Sequence, residues 1–253
     1  MKRVLLKVAY DGSAYHGWAE QDNAVSVCGS VRDAILSLTG ERPELIGASR
    51  TDAGVHALCN LAVFDTASRI PAEKFSGALN IRLPEDIVIR ESSEAAPDFS
   101  PRTARTIKTY RYRILRDRYN NPLERLYSWR AGYELNVERM REAAGLLTGE
   151  NDFRSFASSH AQVLSTVREI TAVSVEENGS YIDITVRGYG FLYNMVRIIT
   201  GTLVEAGRGR LEPEEISEIL AARDRRRAGP TAPPQGLTLM DIEILPGDPG
   251  ITG

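Results

Sequence analysis

Asp52 lies in the segment Ser49-Arg50-Thr51-Asp52-Ala53-Gly54-Val55-His56-Ala57. A carboxylate flanked by Thr51, Ala53 and Gly54 can come close to a bound substrate, because its neighbours are small. Arg50, two residues away, is a cation that would keep the carboxylate ionised, as a nucleophile or general base requires. The same spacing suits an Asx-type turn, in which Asp52 bonds its own backbone, and spacing alone favours the turn.

Two further positions combine charge or a hydroxyl with an apolar setting. Arg197 falls within Gly190-Phe191-Leu192-Tyr193-Asn194-Met195-Val196-Arg197 and the apolar run that follows. Phe191, Met195, Ile198 and Ile199 would face a core, leaving Asn194, Arg197 and Gly201 as a narrow stripe. A cation there needs a partner or a wet cleft, and a structural salt bridge would serve. Tyr110 shares a strand face with Tyr112 among basic residues. Such an aromatic can stack a nucleobase while its neighbours hold phosphates, although strand tyrosines are more often core residues.

The remaining chemistry-bearing residues point to no metal or redox centre. Cys28 and Cys59 are isolated and fit no disulfide framework, so buried thiols in a reducing compartment are expected. His16, His56 and His160 lack metal-ligand spacing. There is no phosphate-loop or dinucleotide motif.

The chain that must position these groups has 253 residues, 42% of them hydrophobic, and a formal net charge of −3. This excludes a disordered polyelectrolyte. No uncharged apolar span is long enough for a membrane helix, and Lys7 interrupts the best apolar start, Val4 to Ala9, so a cytoplasmic protein is expected. Charge is nevertheless segregated: Arg102 to Arg130 carries nine basic residues against Asp117 and Glu124, and Arg223-Asp224-Arg225-Arg226-Arg227 adds a second cluster. These are either solvated faces or the footprint of a phosphate backbone.

Periodicity predicts a strand over 2–10, a helix from Val27 to a stop at Gly40, strands over 44–49 and 58–65, a helix over 72–81 and a strand over 86–92. That is the split β-α-β unit, β-α-β-β-α-β. After the Pro97 to Pro101 linker a related order returns. Strands are predicted over 106–116 and 126–133, a helix over 137–148, and a hairpin of 165–177 and 181–187 around Asn178-Gly179. Helices over 190–206 and 213–223, a strand over 237–245 and a frayed tail Gly247–Gly253 complete the chain.

Taken together, the motifs resemble the tRNA pseudouridine synthase A family. The resemblance runs in family order through Tyr15-His16-Gly17-Trp18, Arg50 to Ala57, Lys108-Thr109-Tyr110-Arg111-Tyr112, Asp152-Phe153-Arg154-Ser155-Phe156, Gly190 to Arg197 and Ala232-Pro233-Pro234-Gln235-Gly236-Leu237. Two departures stand out: Ser49 occupies a position usually Gly, and Ala19 one usually Gln.

The resemblance implies an α+β pseudouridine synthase fold: two ferredoxin-like halves with mixed, mainly antiparallel sheets flanking a central cleft. Residues 1–100 would carry the Asp loop, and residues 101–253 the Tyr strand and Arg helix. It implies isomerisation of uridine to pseudouridine in the anticodon stem-loop of tRNA, at positions 38–40, without cofactor or metal. Asp52 takes the family's catalytic role. Arg50 would occupy the place of the flipped base, Tyr110 would stack on it, and Arg197 would pair with the catalytic carboxylate. Homodimers embracing one tRNA are implied as well. A synthase for another RNA site, or a non-catalytic RNA-binding protein on the same scaffold, remains open.

Overall fold

The structure is a computed structural model and describes residues 1–158 and 164–245. In chain order the first elements are β1 (Lys2–Tyr10), α1 (Val27–Thr39), β2 (Ile46–Gly47), β3 (His56–Thr66), α2 (Phe75–Asn80) and β4 (Ile87–Ala95). Then come β5 (Thr106–Leu115), β6 (Trp129–Arg130), α3 (Val137–Gly145), β7 (Gly149–Asp152), β8 (Val167–Asn178) and β9 (Tyr181–Gly188). The last are α4 (Met195–Gly207), α5 (Glu215–Ala222) and β10 (Leu237–Ile244). The chain is α+β, with mainly antiparallel strand pairs. It divides into two compact units, Met1–Thr106 with Leu239–Gly253, and Ile107–Thr238. This division differs from the expected break at residue 100, because β10 is hydrogen-bonded beside β3.

In the first unit the sheet runs β4-β1-β3, with β2 and β10 also on β3. β1 pairs antiparallel with β3 through Leu5↔Val63 and Leu6↔Ala62, and its register shifts between Val8 and Tyr10. α1 forms as its spacing predicts: Ser26 caps it by accepting from Gly29 N–H, and Gly40 ends it. Its apolar stripe, Val27, Val31 and Ile35, is fully buried, the arrangement expected of a helix lying on a sheet. Phe64 of β3 meets Phe75 of α2 edge to face at 5.3 Å.

In the second unit the order is β5-β9-β8-β7, with β6 parallel to β5. Tyr110 lies opposite Val186, and Tyr112 opposite Ile184. Helices α3 and α4 pack on each other, and α3 packs on β8.

Several elements differ from their sequence expectations for local reasons. The strand expected over 44–49 shrinks to Ile46–Gly47, because the Asn60 side chain takes both backbone groups of Ser49. The strand expected over 126–133 is the short pairing Trp129–Arg130; ahead of it Asn121 and Glu124 tie the chain into turns. The hairpin tip is Gly179-Ser180, since Asn178 still pairs with Tyr181. The helix expected from residue 190 starts at Met195, because Asn194 adopts φ +61. His160 and the Gly247–Gly253 tail lie outside the described residues.

Candidate active site residues in each unit

The Asp52 loop of the first unit is built by hydrogen bonds from three directions. From β1, the Tyr10 hydroxyl meets Thr51 Oγ1 at 2.7 Å. From β3, the fully buried Asn60 accepts from Ser49 N–H at 3.2 Å and donates to the Ser49 carbonyl at 3.0 Å. From the segment after β1, Trp18 N–H donates to the Thr51 carbonyl at 3.1 Å, and the Tyr15 carbonyl accepts from Gly54 N–H at 3.2 Å. Between those two bonds lies Gly17, at φ +90, where a Cβ would fall 2.5 Å from the Thr51 carbonyl oxygen. Only glycine permits that approach. The Tyr15-His16-Gly17-Trp18 motif is therefore a clamp on the loop. It is anchored by the buried Trp18 ring tilted against Tyr10 at 6.0 Å and by the Tyr15 hydroxyl donating to Asp86 at 2.6 Å.

Asp52 itself is half-buried, between the buried Thr51 and the exposed Ala53. Its carbonyl accepts from Val55 N–H at 3.2 Å, closing the turn through the backbone. Arg50 is exposed and takes no part in this network. His56 is buried, with Nδ1 3.1 Å from both Gly12 N and Asp11 Oδ1. A neutral ring accepts from Gly12 there, whereas an imidazolium donates to Asp11. In either state it ties the start of β3 to the turn after β1.

In the second unit the two strand tyrosines separate into different roles. Tyr112 is fully buried, and its hydroxyl donates to the Pro233 carbonyl at 2.7 Å. Burial raises its phenol above the usual range. Tyr110, also buried, carries Phe191 edge to face at 5.1 Å, the favoured geometry for aromatic pairs. Lys108 shares their strand face, and burial pushes its ammonium down to about 8.

Arg197 donates from Nε to the Ala232 carbonyl at 2.8 Å and from a terminal nitrogen to Asn194 Oδ1 at 2.7 Å. Ala232 N–H returns a bond to the Arg197 carbonyl at 3.1 Å. The Ala232-Pro233-Pro234 motif thus holds both Arg197 and Tyr112. Gly201, the third member of the expected stripe, is where the chain at Pro230 crosses α4: a Cβ there would fall 1.8 Å from the Pro230 carbonyl oxygen.

Many cations of the two basic segments are already engaged. Arg113 forms a two-pronged pair with Asp183, both bonds at 2.9 Å, and covers the Tyr181 ring at 4.7 Å. Arg116 pairs with Glu177, Arg223 with Asp152 and Arg227 with Glu218. Arg226 pairs with Asp224, whose carboxyl is held down to about 2 by hydrogen bonds from that guanidinium. A cleft of 630 Å³ in this unit is walled by Asp152, Arg154, Ser158, Ser165, Arg223 and Arg225 among others.

Cys28 is buried, and burial raises its thiol to about 11. Among the described residues no cluster of three His, Cys, Asp or Glu side chains could hold a metal ion, and no helix is long and apolar enough to cross a membrane. Sequence reasoning missed Asn60 and Tyr10 as loop anchors. The available signal for Asn60 was a lone amide in the apolar run of β3.

Comparison with known proteins agrees with these motifs. The sequence model of a family described as tRNA pseudouridine synthase matches residues 7–102 and 143–243. The chain is 46% identical over 242 residues to tRNA pseudouridine synthase A of Thermoanaerobacter sp. (strain X514), covering 96% of this chain and 99% of that one. It is 46% identical over 244 residues to tRNA pseudouridine synthase A of Geobacter sulfurreducens, covering 96% and 100%. It is 47% identical over 243 residues to tRNA pseudouridine synthase A 2 of Clostridium tetani, covering 95% and 98%.

Proposed function

The chain belongs to the tRNA pseudouridine synthase family, and from that premise we propose that it converts uridine to pseudouridine at positions 38–40, in the anticodon stem-loop of tRNA, with Asp52 as the catalytic carboxylate. It is an isomerase with the α+β pseudouridine synthase fold. The reaction detaches uracil from its ribose, turns it over and rejoins it through carbon 5, so no atoms are gained or lost and no electrons change hands.

The observation that carries the assignment of Asp52 is the loop built around it. Ser49, Thr51 and Gly54 are each fixed by a hydrogen bond from a different segment of the first unit. A carboxylate held on so constrained a backbone is pre-organised for attack or proton transfer. Reaching the glycosidic bond requires the target nucleotide to leave its stack, at a cost of a few kcal/mol. Arg50, exposed at the loop's edge, is suited to fill the vacated place. Tyr110 stacks on the flipped base and moves a proton at carbon 5, and Arg197 is the cation that keeps the catalytic carboxylate ionised. The enzyme acts in the cytoplasm as a homodimer, with unengaged cations of the two basic segments on tRNA phosphates.

The test uses unmodified tRNA transcript tritiated at uridine carbon 5. Release should occur with the wild-type chain and vanish with Asp52→Asn, while carbodiimide-dependent primer extension stops on the 3′ side of the anticodon stem-loop. Release that persists in the variant removes Asp52 from the chemistry. Stops elsewhere in the tRNA assign another target site. Salt-sensitive binding without any release would leave an RNA-binding protein on this scaffold.

A further inference from the structure

Asn194 joins the turn at Gly190–Tyr193 to α4 in an unusual way. Its φ is +61, and among the described residues only one other non-glycine residue, Arg223, has a positive φ. Asparagine tolerates this left-handed conformation better than most residues, but at a cost in strain. As the residue capping α4 it would ordinarily accept from a backbone N–H of the first turn; here the side chain makes no such bond.

The amide is used elsewhere. Oδ1 accepts from Arg197 at 2.7 Å, and Nδ2 donates to Ser158 Oγ at 2.8 Å. An arginine can only donate, so its presence sets which end of the amide faces it. Ser158 N–H in turn donates to the Tyr193 carbonyl at 3.2 Å, so residues 193–194 are tied to Ser158 by two bonds. With Nε on the Ala232 carbonyl, the planar guanidinium of Arg197 is held at two points. A strained backbone, a forgone cap and an amide shared between the arginine and Ser158 together mark a residue retained for the arginine's geometry.

We propose that Asn194 is a positioning residue for pseudouridine formation, fixing the plane of the Arg197 guanidinium and anchoring it to the chain at Ser158. The inference rests on the reading of Arg197 as a group that acts on the catalytic carboxylate. Asparagine is specifically suited. Alanine would keep the strain without the bonds, glycine would relax the backbone but release the guanidinium, and aspartate would draw the arginine's charge into its own ion pair.

The experiment measures single-turnover rate, KM for tRNA and Tm for Asn194→Gly, Ser158→Ala, Arg197→Ala and the Asn194→Gly/Arg197→Ala pair. Asn194→Gly should lower the rate by about 10- to 100-fold, the scale of a small misplacement of a catalytic group, with KM and Tm near wild type. Ser158→Ala should give a smaller loss of the same kind. In the pair, the glycine should add nothing to the loss already caused by Arg197→Ala, a non-additivity that a merely structural residue does not show. A full rate in Asn194→Gly beside a collapsed rate in Arg197→Ala overturns the inference alone. Multiplicative losses in the pair also overturn it. A full rate in Arg197→Ala overturns the reading of Arg197 and the inference with it.

Discussion

Asn60 holds both backbone groups of Ser49, accepting from its N–H at 3.2 Å and donating to its carbonyl at 3.0 Å, in a site closed to solvent. The side chain of β3 thus replaces a strand partner just where the chain must leave the sheet to form the Asp52 loop. Asn60→Leu removes both side-chain bonds to the buried backbone of Ser49, and a buried backbone group deprived of its partner costs about 1–3 kcal/mol. A loss of about 3 kcal/mol in urea unfolding is expected, together with a fall in turnover. Unchanged stability would mean that Ser49 finds other partners.

Gly17 makes a second, independent demand on the same loop. Its φ of +90 and the closeness of the Thr51 carbonyl mean that Gly17→Ala must displace either the clamp or the loop. Strain of this kind costs on the order of 1–3 kcal/mol. Turnover should fall further than that stability loss predicts, because the displaced atom adjoins Asp52. The measurement is kcat beside the urea midpoint, and proportionate losses in the two would argue that the clamp serves folding alone.

The two buried tyrosines of β5 should answer differently to loss of a hydroxyl. Tyr112→Phe removes the bond to Pro233 and should cost about 1 kcal/mol, with tritium release close to wild type. Tyr110→Phe should slow or stop release, if its hydroxyl moves a proton at carbon 5. The reverse pattern would exchange their roles.

Lys108 sets a pH dependence of stability. Burial lowers its folded value to about 8, below the ordinary 10.5. Between these values the unfolded chain binds more protons, so stability rises with pH. The contribution is complete above 10.5 and is lost as the pH falls through about 8. Lys108→Met should flatten this rise and stabilise the protein at neutral pH by roughly 3 kcal/mol, following the free energy of a pKa shift. Urea midpoints across pH 7 to 10 test it, and parallel profiles for the two proteins would exclude Lys108 as the source.

The strands and helices with strong apolar periodicity, β1, α1 and β5 among them, were legible because alternation or three- and four-residue spacing already states which face is buried. The Asp52 motif and its companions were legible because they are short, ordered segments with restrictive residue types. What those segments do for one another was not. Gly17 is required by the Thr51 carbonyl, the backbone of Ser49 is held by the amide of Asn60, and Arg197 is steadied by Asn194 and Ala232. Each of these relations joins a side chain or glycine to a backbone atom or amide whose place depends on how the chain has folded. The helix boundary at Met195 is of the same kind. Local propensity carries the helix back through Phe191, while a left-handed Asn194 with an arginine and a serine to satisfy stops it. Residue types and spacing specify what chemistry is present; the backbone bonds made between distant segments decide how tightly it is held.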